Sequence, residues 1–171
     1  MLMKSLKELI NAILNSSENK ELENIKRNPT MIKEIANPTE AQQLAAVRSS
    51  SHVIKYIKEP TKKVRFIALK DDIYNYRYIK SLTKKEQLYL IKEGIRIENI
   101  KRPVEKVQLY ALKWRKASIN DIKNPTEKAQ LITIRKDKEL FLYIKNPTIT
   151  VCQEVARAYC GNIEIPADRR I

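Results

Sequence analysis

The sequence predicts an all-α fold, a right-handed α-solenoid of about seven two-helix repeats, on three observations. A short signal returns every 22 residues: Asn37-Pro38-Thr39 reappears as Glu59-Pro60-Thr61, Asn124-Pro125-Thr126 and Asn146-Pro147-Thr148, and Ser81-Leu82-Thr83 and Arg102-Pro103-Val104 keep the register between them. Apolar residues between these signals recur at i and i+3, the spacing of one helix face. The 171-residue chain has two glycines and no strand-like alternation. A fixed period of this size marks units that stack on their neighbours, because one short hairpin cannot bury its apolar face alone.

Taken in order, residues 1–14 carry Leu2, Leu6, Leu9, Ile10, Ile13 and Leu14 and read as an amphipathic helix capping the first repeat. Repeats follow at 15–36, 37–58, 59–80, 81–101 (one residue short), 102–123, 124–145 and 146–165, with a short tail after them. In each, Asn is expected at the N-cap, where its side chain accepts from free backbone amides, with Pro at the first helical position and Glu40 or Glu127 favouring the positive end of the dipole. The first helix is anchored by Leu44/Val47, Phe66/Leu69, Leu88/Ile91, Leu109/Leu112 and Leu131/Ile134. After a break of about five residues, polar at 49–52 and containing Gly94 in 81–101, comes a second helix of one or two turns. Its anchors are Ile54/Ile57, Tyr76/Ile79, Ile97/Ile100, Ile119/Ile122 and Phe141/Ile144, and the next proline ends it. The last repeat departs from the pattern at Gln153 and Pro166, as a terminal repeat with a solvated outer face should.

The length suits one domain with an ample core. Lys4, Lys7 and Glu8 interrupt the N-terminal apolar residues, so no signal peptide and no membrane span is expected, and the expected location is the cytoplasm. Cys152 and Cys160 are expected to be packing thiols rather than a disulfide.

The net charge is +14. Codon bias towards Lys would scatter it, so its placement is informative. The twelfth position of the repeats reads Lys26, Arg48, Lys70, Lys92, Lys113, Arg135 and Arg157, at the end of the first helix where a cation suits the dipole. The fifth position reads Lys63, Lys85, Lys106 and Lys128. Seven residues apart, the two columns share a helix face, and Ile67, Tyr89, Tyr110 and Ile132 lie between them. Cations with interleaved rings match a phosphate backbone and exposed bases, and they would equally suit an acidic protein.

Tyr56, Tyr78 and Tyr143, each two residues before Lys58, Lys80 or Lys145, are expected to serve inter-repeat packing. Gln43, Gln87, Gln108 and Gln130 occupy the seventh position and suggest a hydrogen-bonded ladder between adjacent helices. Trp114 and Arg115 break the pattern, and Trp114 is a candidate anchor for a partner.

No enzyme chemistry is expected. His52 is the single histidine, no ligand spacing makes a metal site, and no glycine-rich phosphate loop exists, so neither cofactor nor small-molecule substrate is expected. The paired acids Asp71-Asp72 fall in an inter-helix turn and read as solvated caps.

The unit Asn-Pro-Thr-Glu-x-x-Gln-Leu-x-Ala-Val-Arg resembles the short α-helical repeats of the leucine-rich-variant and HEAT-like class over residues 15–165, and similar Asn-Pro-Thr units resemble proteins of phages and low-GC bacteria. The resemblance implies a binding scaffold and carries no catalytic residues. The expected activity is non-enzymatic binding, as monomer or dimer, of DNA or RNA or an acidic, nucleic-acid-binding protein. The expected contacts are Lys63, Lys70, Lys85, Tyr89, Lys92, Lys106, Tyr110, Lys113, Trp114, Lys128 and Arg135. By analogy with small basic phage proteins, the alternative is an inhibitor of a host defence protein such as a CRISPR effector.

Overall fold

The structure, a computed structural model, describes residues 16–160, and every described element is helical. Helix α1 covers the described residues 16–27. It is followed by α2 (Glu40–Ser49), α3 (Lys62–Asp71), α4 (Lys84–Lys92), α5 (Glu105–Lys113), α6 (Glu127–Lys136) and α7 (Ile149–Cys160). Between them run short 3-10 helices: η1 (Pro29–Glu34), η2 (Ser51–Tyr56), η3 (Ile73–Tyr78), η4 (Ile97–Asn99), η5 (Ile119–Asp121) and η6 (Lys138–Tyr143). The expected capping helix at 1–14, Pro166 and the tail lie outside the described residues.

The chain forms two compact units, divided between Leu82 and Thr83. In the first, α2 packs on α3 while η1, η2 and η3 pack in series. In the second, α4 packs on α5, α5 on α6 and α6 on α7, with η5 against η6. Each unit is therefore a layer of α-helices backed by a layer of 3-10 helices.

The α-helices begin two residues later than the sequence suggests. Thr, not Asn, is the N-cap: Thr39, Thr61, Thr83 and Thr126 are extended, and each hydroxyl accepts from the backbone amide three residues on. Thr39 with Gln42 and Thr83 with Glu86 complete capping boxes, the side chain of the later residue accepting from the Thr amide at 2.8 and 2.6 Å. Proline thus precedes the cap, where its restricted backbone holds the entering chain extended. The Asn-cap and Pro-first arrangement occurs at Asn28-Pro29 instead, opening η1.

The column of glutamines ties consecutive repeats, and it reaches turns rather than helices. Gln108 Nε2 donates to Pro103 O in its own opening turn (2.9 Å) and to Asn124 O in the next (3.3 Å), while its Oε1 accepts from Thr126 N (2.9 Å). Gln130 repeats this with Pro125 O, Asn146 O and Thr148 N at 3.1, 3.2 and 3.0 Å. Gln87 bonds Arg102 O and Val104 N, and Gln43 bonds Pro38 O and Thr61 N. All four side chains are buried.

Core positions also shift. The leucines at the eighth position, Leu44, Leu88, Leu109 and Leu131, are only half-buried. The deepest residues lie at the sixth, tenth and eleventh positions, as Val64, Ala68 and Leu69, all fully buried. Ala46, Ala68 and Ala111 at the tenth position leave room for close helix approach. The 3-10 anchors Ile54, Ile57, Ile97, Ile100, Ile119 and Ile122 are buried as expected.

Two turn designs join α to 3-10 helix. After α2, α3 and α6 a single extended residue (Ser50, Asp72, Asp137) suffices, a shorter break than expected. After α4 and α5 the chain makes a left-handed turn, at Gly94 (φ 95°) and Arg115 (φ 53°). There the amides of Ile95 and Lys116 reach back to Leu90 O and Ala111 O at 2.9 and 2.8 Å, the bonding of a Schellman cap.

Gln108→Leu removes three buried hydrogen bonds and strands backbone groups on both turns. Urea unfolding should show a loss of about 2–4 kcal/mol, against about 0.5–1.5 kcal/mol for Gln42→Ala, which removes one exposed capping bond.

Candidate nucleic-acid interface

The helix caps decide where the cations fall. Lys63, Lys85, Lys106 and Lys128 each become the second residue of an α-helix and are exposed. Arg48, Lys70, Lys92, Lys113, Arg135 and Arg157 fall in the last turn of theirs. The last-turn cations complement the helix dipole and need no further reason to be there. The first-turn lysines oppose it, so they cost stability in the fold alone.

Lys63 and Lys70 belong to the first unit, and the remaining expected contacts to the second. The structure brings four of the latter together. Lys92 Nζ lies 5.8 Å from the Tyr110 ring centroid, Tyr110 lies 6.2 Å from Trp114 at a 44° tilt, and Lys113 Nζ lies 5.7 Å from the Trp114 ring. Trp114 is 59 % exposed. Tyr89 and Tyr110 are half-buried between the lysine columns. Arg135 stands apart: its guanidinium makes a two-pronged contact with Glu154 at 2.7 and 2.9 Å, and the Glu154 carboxyl is held below its ordinary range mainly by that hydrogen bond.

Tyr56, Tyr78 and Tyr143 are exposed on the 3-10 layer rather than packed between repeats. In the first unit they join a second cationic and aromatic surface that the sequence reading undervalued. Lys55 Nζ sits 4.9 Å from the Tyr56 ring, and the Arg77 guanidinium sits 5.2 Å from Tyr74. Nearby, Lys58, Lys62, Arg65, Tyr78 and Lys80 line a cleft of about 430 Å³. The Tyr-x-Lys spacing was the available signal for half of it.

A larger groove, about 1130 Å³, opens in the second unit between α5–η5 and α6–η6. Leu109, Leu112, Ile132, Leu140 and Tyr143 contribute apolar surface, and Lys113, Arg115, Lys116 and Lys136 contribute charge. Asp121 also lines it, accepting from Ser118 N and Ser118 Oγ, both at 2.7 Å, and these bonds hold its carboxyl below the ordinary aspartate range.

Asp72 caps η3 through Tyr74 N, and Asp71 accepts from the buried Ser51 hydroxyl at 2.6 Å. His52 Nδ1 lies 3.3 Å from Asn75 Oδ1 and 3.6 Å from Asp72 Oδ2. Cys152 and Cys160 are exposed free thiols, which overturns the packing expectation, because α7 turns Val151 rather than Cys152 into the core. Among the described residues no cluster of three or more His, Cys, Asp or Glu could hold a metal ion, and no helix is long and apolar enough to cross a membrane.

No protein-family model matches the chain, and no curated protein and no solved structure is significantly similar to it.

The two lysine columns should answer substitution with opposite sign. Lys106→Gln should raise the stability of the free protein and Lys113→Gln should lower it, each by about 0.3–1 kcal/mol at low ionic strength. Thermal unfolding at two salt concentrations reads both, and the differences should shrink in high salt.

Proposed function

We propose that this protein is a non-enzymatic, nucleic-acid-binding module of helical-repeat architecture, presenting cations and aromatic rings to single-stranded DNA or RNA. One observation carries the reading: Lys63, Lys85, Lys106 and Lys128 lie in first helical turns, against the dipole, and in the second unit the last-turn lysines Lys92 and Lys113 stand beside the Tyr110 and Trp114 rings. A solvated flank would gain from acidic residues there. Phosphates instead would meet the lysines together with the free amides of each helix start, and bases would stack on Tyr110 and Trp114. The Lys58, Lys62, Lys80 and Tyr78 cleft offers the same chemistry in the first unit. The 22-residue period, one residue short only at 81–101, supports an α-solenoid of the HEAT-like kind. Cytoplasmic residence fits this role.

A second reading, an inhibitor acting on a host defence protein, draws on the exposure of Trp114. It would depend on a few anchors rather than on the lysine columns.

Fluorescence anisotropy of labelled single- and double-stranded DNA and RNA at two salt concentrations tests the proposal. Sub-micromolar, steeply salt-dependent binding is expected near physiological salt. Each lost phosphate contact among Lys63, Lys85, Lys106 and Lys128 should reduce the log–log salt slope by about 0.7–0.9. Trp114→Ala should weaken single-strand binding by about 1–3 kcal/mol. Weak binding confined to low salt, or binding indifferent to charge reversal of these lysines, overturns it.

A further inference from the structure

The groove between α5–η5 and α6–η6 has properties that the nucleic-acid reading does not use. We propose that it is a docking site for an acidic peptide segment of a partner protein, one that carries two or more large apolar side chains. The inference goes beyond the nucleic-acid reading and stands on a separate groove, whose cations share only Lys113 with that reading.

Size comes first. At about 1130 Å³ the groove exceeds the roughly 300–1,000 Å³ of ordinary small-molecule sites, and it is open along its length. A metabolite would leave much of the apolar surface wet, whereas a chain segment would cover it.

Chemistry narrows the occupant further. Some polar groups of the lining are committed to local bonds: Ser118 donates to Asp121 from its amide and its hydroxyl, and Thr133 donates to Ala129 O. What remains to meet an occupant is aliphatic surface from Leu109, Leu112, Ile132 and Leu140, together with the cations around it. Nucleobases call for flat rings and hydrogen-bonding partners, and Tyr143 is the one aromatic ring of this lining. Aliphatic floors take Leu-, Ile- or Phe-like side chains. Ile132 is 43 % and Tyr143 58 % exposed, so apolar surface here faces water until something covers it.

Charge sets the sign of that partner. Lys113, Arg115, Lys116 and Lys136 are exposed along the groove, against the single carboxylate of Asp121. A complementary segment is acidic between its apolar anchors. Arg115 adds an independent point. It holds φ 53° in a turn where Gly94 serves the equivalent role after α4, a left-handed conformation that disfavours a side chain. Glycine would suit the backbone better, so the guanidinium is kept for what it does at the groove.

Selection from a displayed library of random 16-residue peptides on the full-length protein, with Ile132→Asp as counter-selection, tests the proposal. The half-exposed position of Ile132 allows that variant to fold, which circular dichroism checks. Enriched peptides should be net acidic with large apolar residues. Synthesised and labelled, they should bind at least about tenfold more weakly to Ile132→Asp and to the Lys116→Glu/Lys136→Glu double variant. Arg115→Gly should bind them more weakly although it unfolds at higher temperature, an outcome a purely structural arginine would not give. Single-stranded DNA binding should survive Leu140→Asp, which lies on η6 outside both lysine columns and should also weaken the peptides, so failure of the nucleic-acid reading and failure of this one register separately. No enrichment over the counter-selected variant, or enrichment of neutral or basic peptides, overturns the proposal. So does loss of DNA binding in Leu140→Asp without any enriched peptide, which would place nucleic acid in the groove.

Discussion

Every repeat junction that carries the glutamine strap is held by the same constraint: the backbone of a helix-opening turn must be satisfied where it meets a buried side chain of the preceding repeat. A threonine N-cap satisfies the amide three residues into its own helix, but its own amide and the carbonyls before it still need partners. The buried glutamine of the preceding repeat supplies both. Its carbonyl oxygen takes the cap amide and its amide nitrogen takes turn carbonyls, as Gln108 does with Thr126, Pro103 and Asn124. No other side chain does this as well at that length: glutamate lacks the donor, asparagine lacks the reach, and leucine lacks both. The division between Leu82 and Thr83 follows the repeat whose seventh position is Arg65 rather than glutamine.

The strap fixes the opening turns of α3, α5, α6 and α7. Lys63, Lys85, Lys106 and Lys128 follow the cap residues Thr61, Thr83, Val104 and Thr126 as the second residue of each helix, so they lie in the first turn and oppose the dipole. Side chains that weaken the fold at a solvated surface point to a role outside the fold. Arg115 makes the same case through the backbone, since a left-handed turn would be better served by glycine. Both cases separate residues that stability explains from residues that it does not.

The repeat register, helical class and 3-10 anchors were legible because periodic burial imposes periodic sequence. The capping box Thr39-x-x-Gln42 was equally visible, and Asn-Pro drew attention from it because the same dipeptide opens a helix at Asn28. The eighth-position leucines looked like core because they are large, yet Ala46, Ala68 and Ala111 are deeper. Small residues lie where helices approach most closely, and hydropathy alone ranks them low. The tyrosines of the 3-10 layer are exposed, and apolar character does not say which side of a short helix faces the neighbour. In the 12-residue α7 packing selects the face, taking Val151 into the core and leaving Cys152 and Cys160 exposed.

The sequence by itself determined an all-α repeat protein of fixed period, with basic residues in two columns and a tryptophan out of pattern, because backbone propensity, turn chemistry and periodicity are local properties. Tertiary structure decided the rest. It brought Lys92 to Tyr110 and Tyr110 beside Trp114, committed Arg135 to Glu154, and opened the groove between α5–η5 and α6–η6. These depend on distances between side chains from different repeats, set by how closely neighbouring backbones approach, and a one-dimensional period carries no measure of that approach.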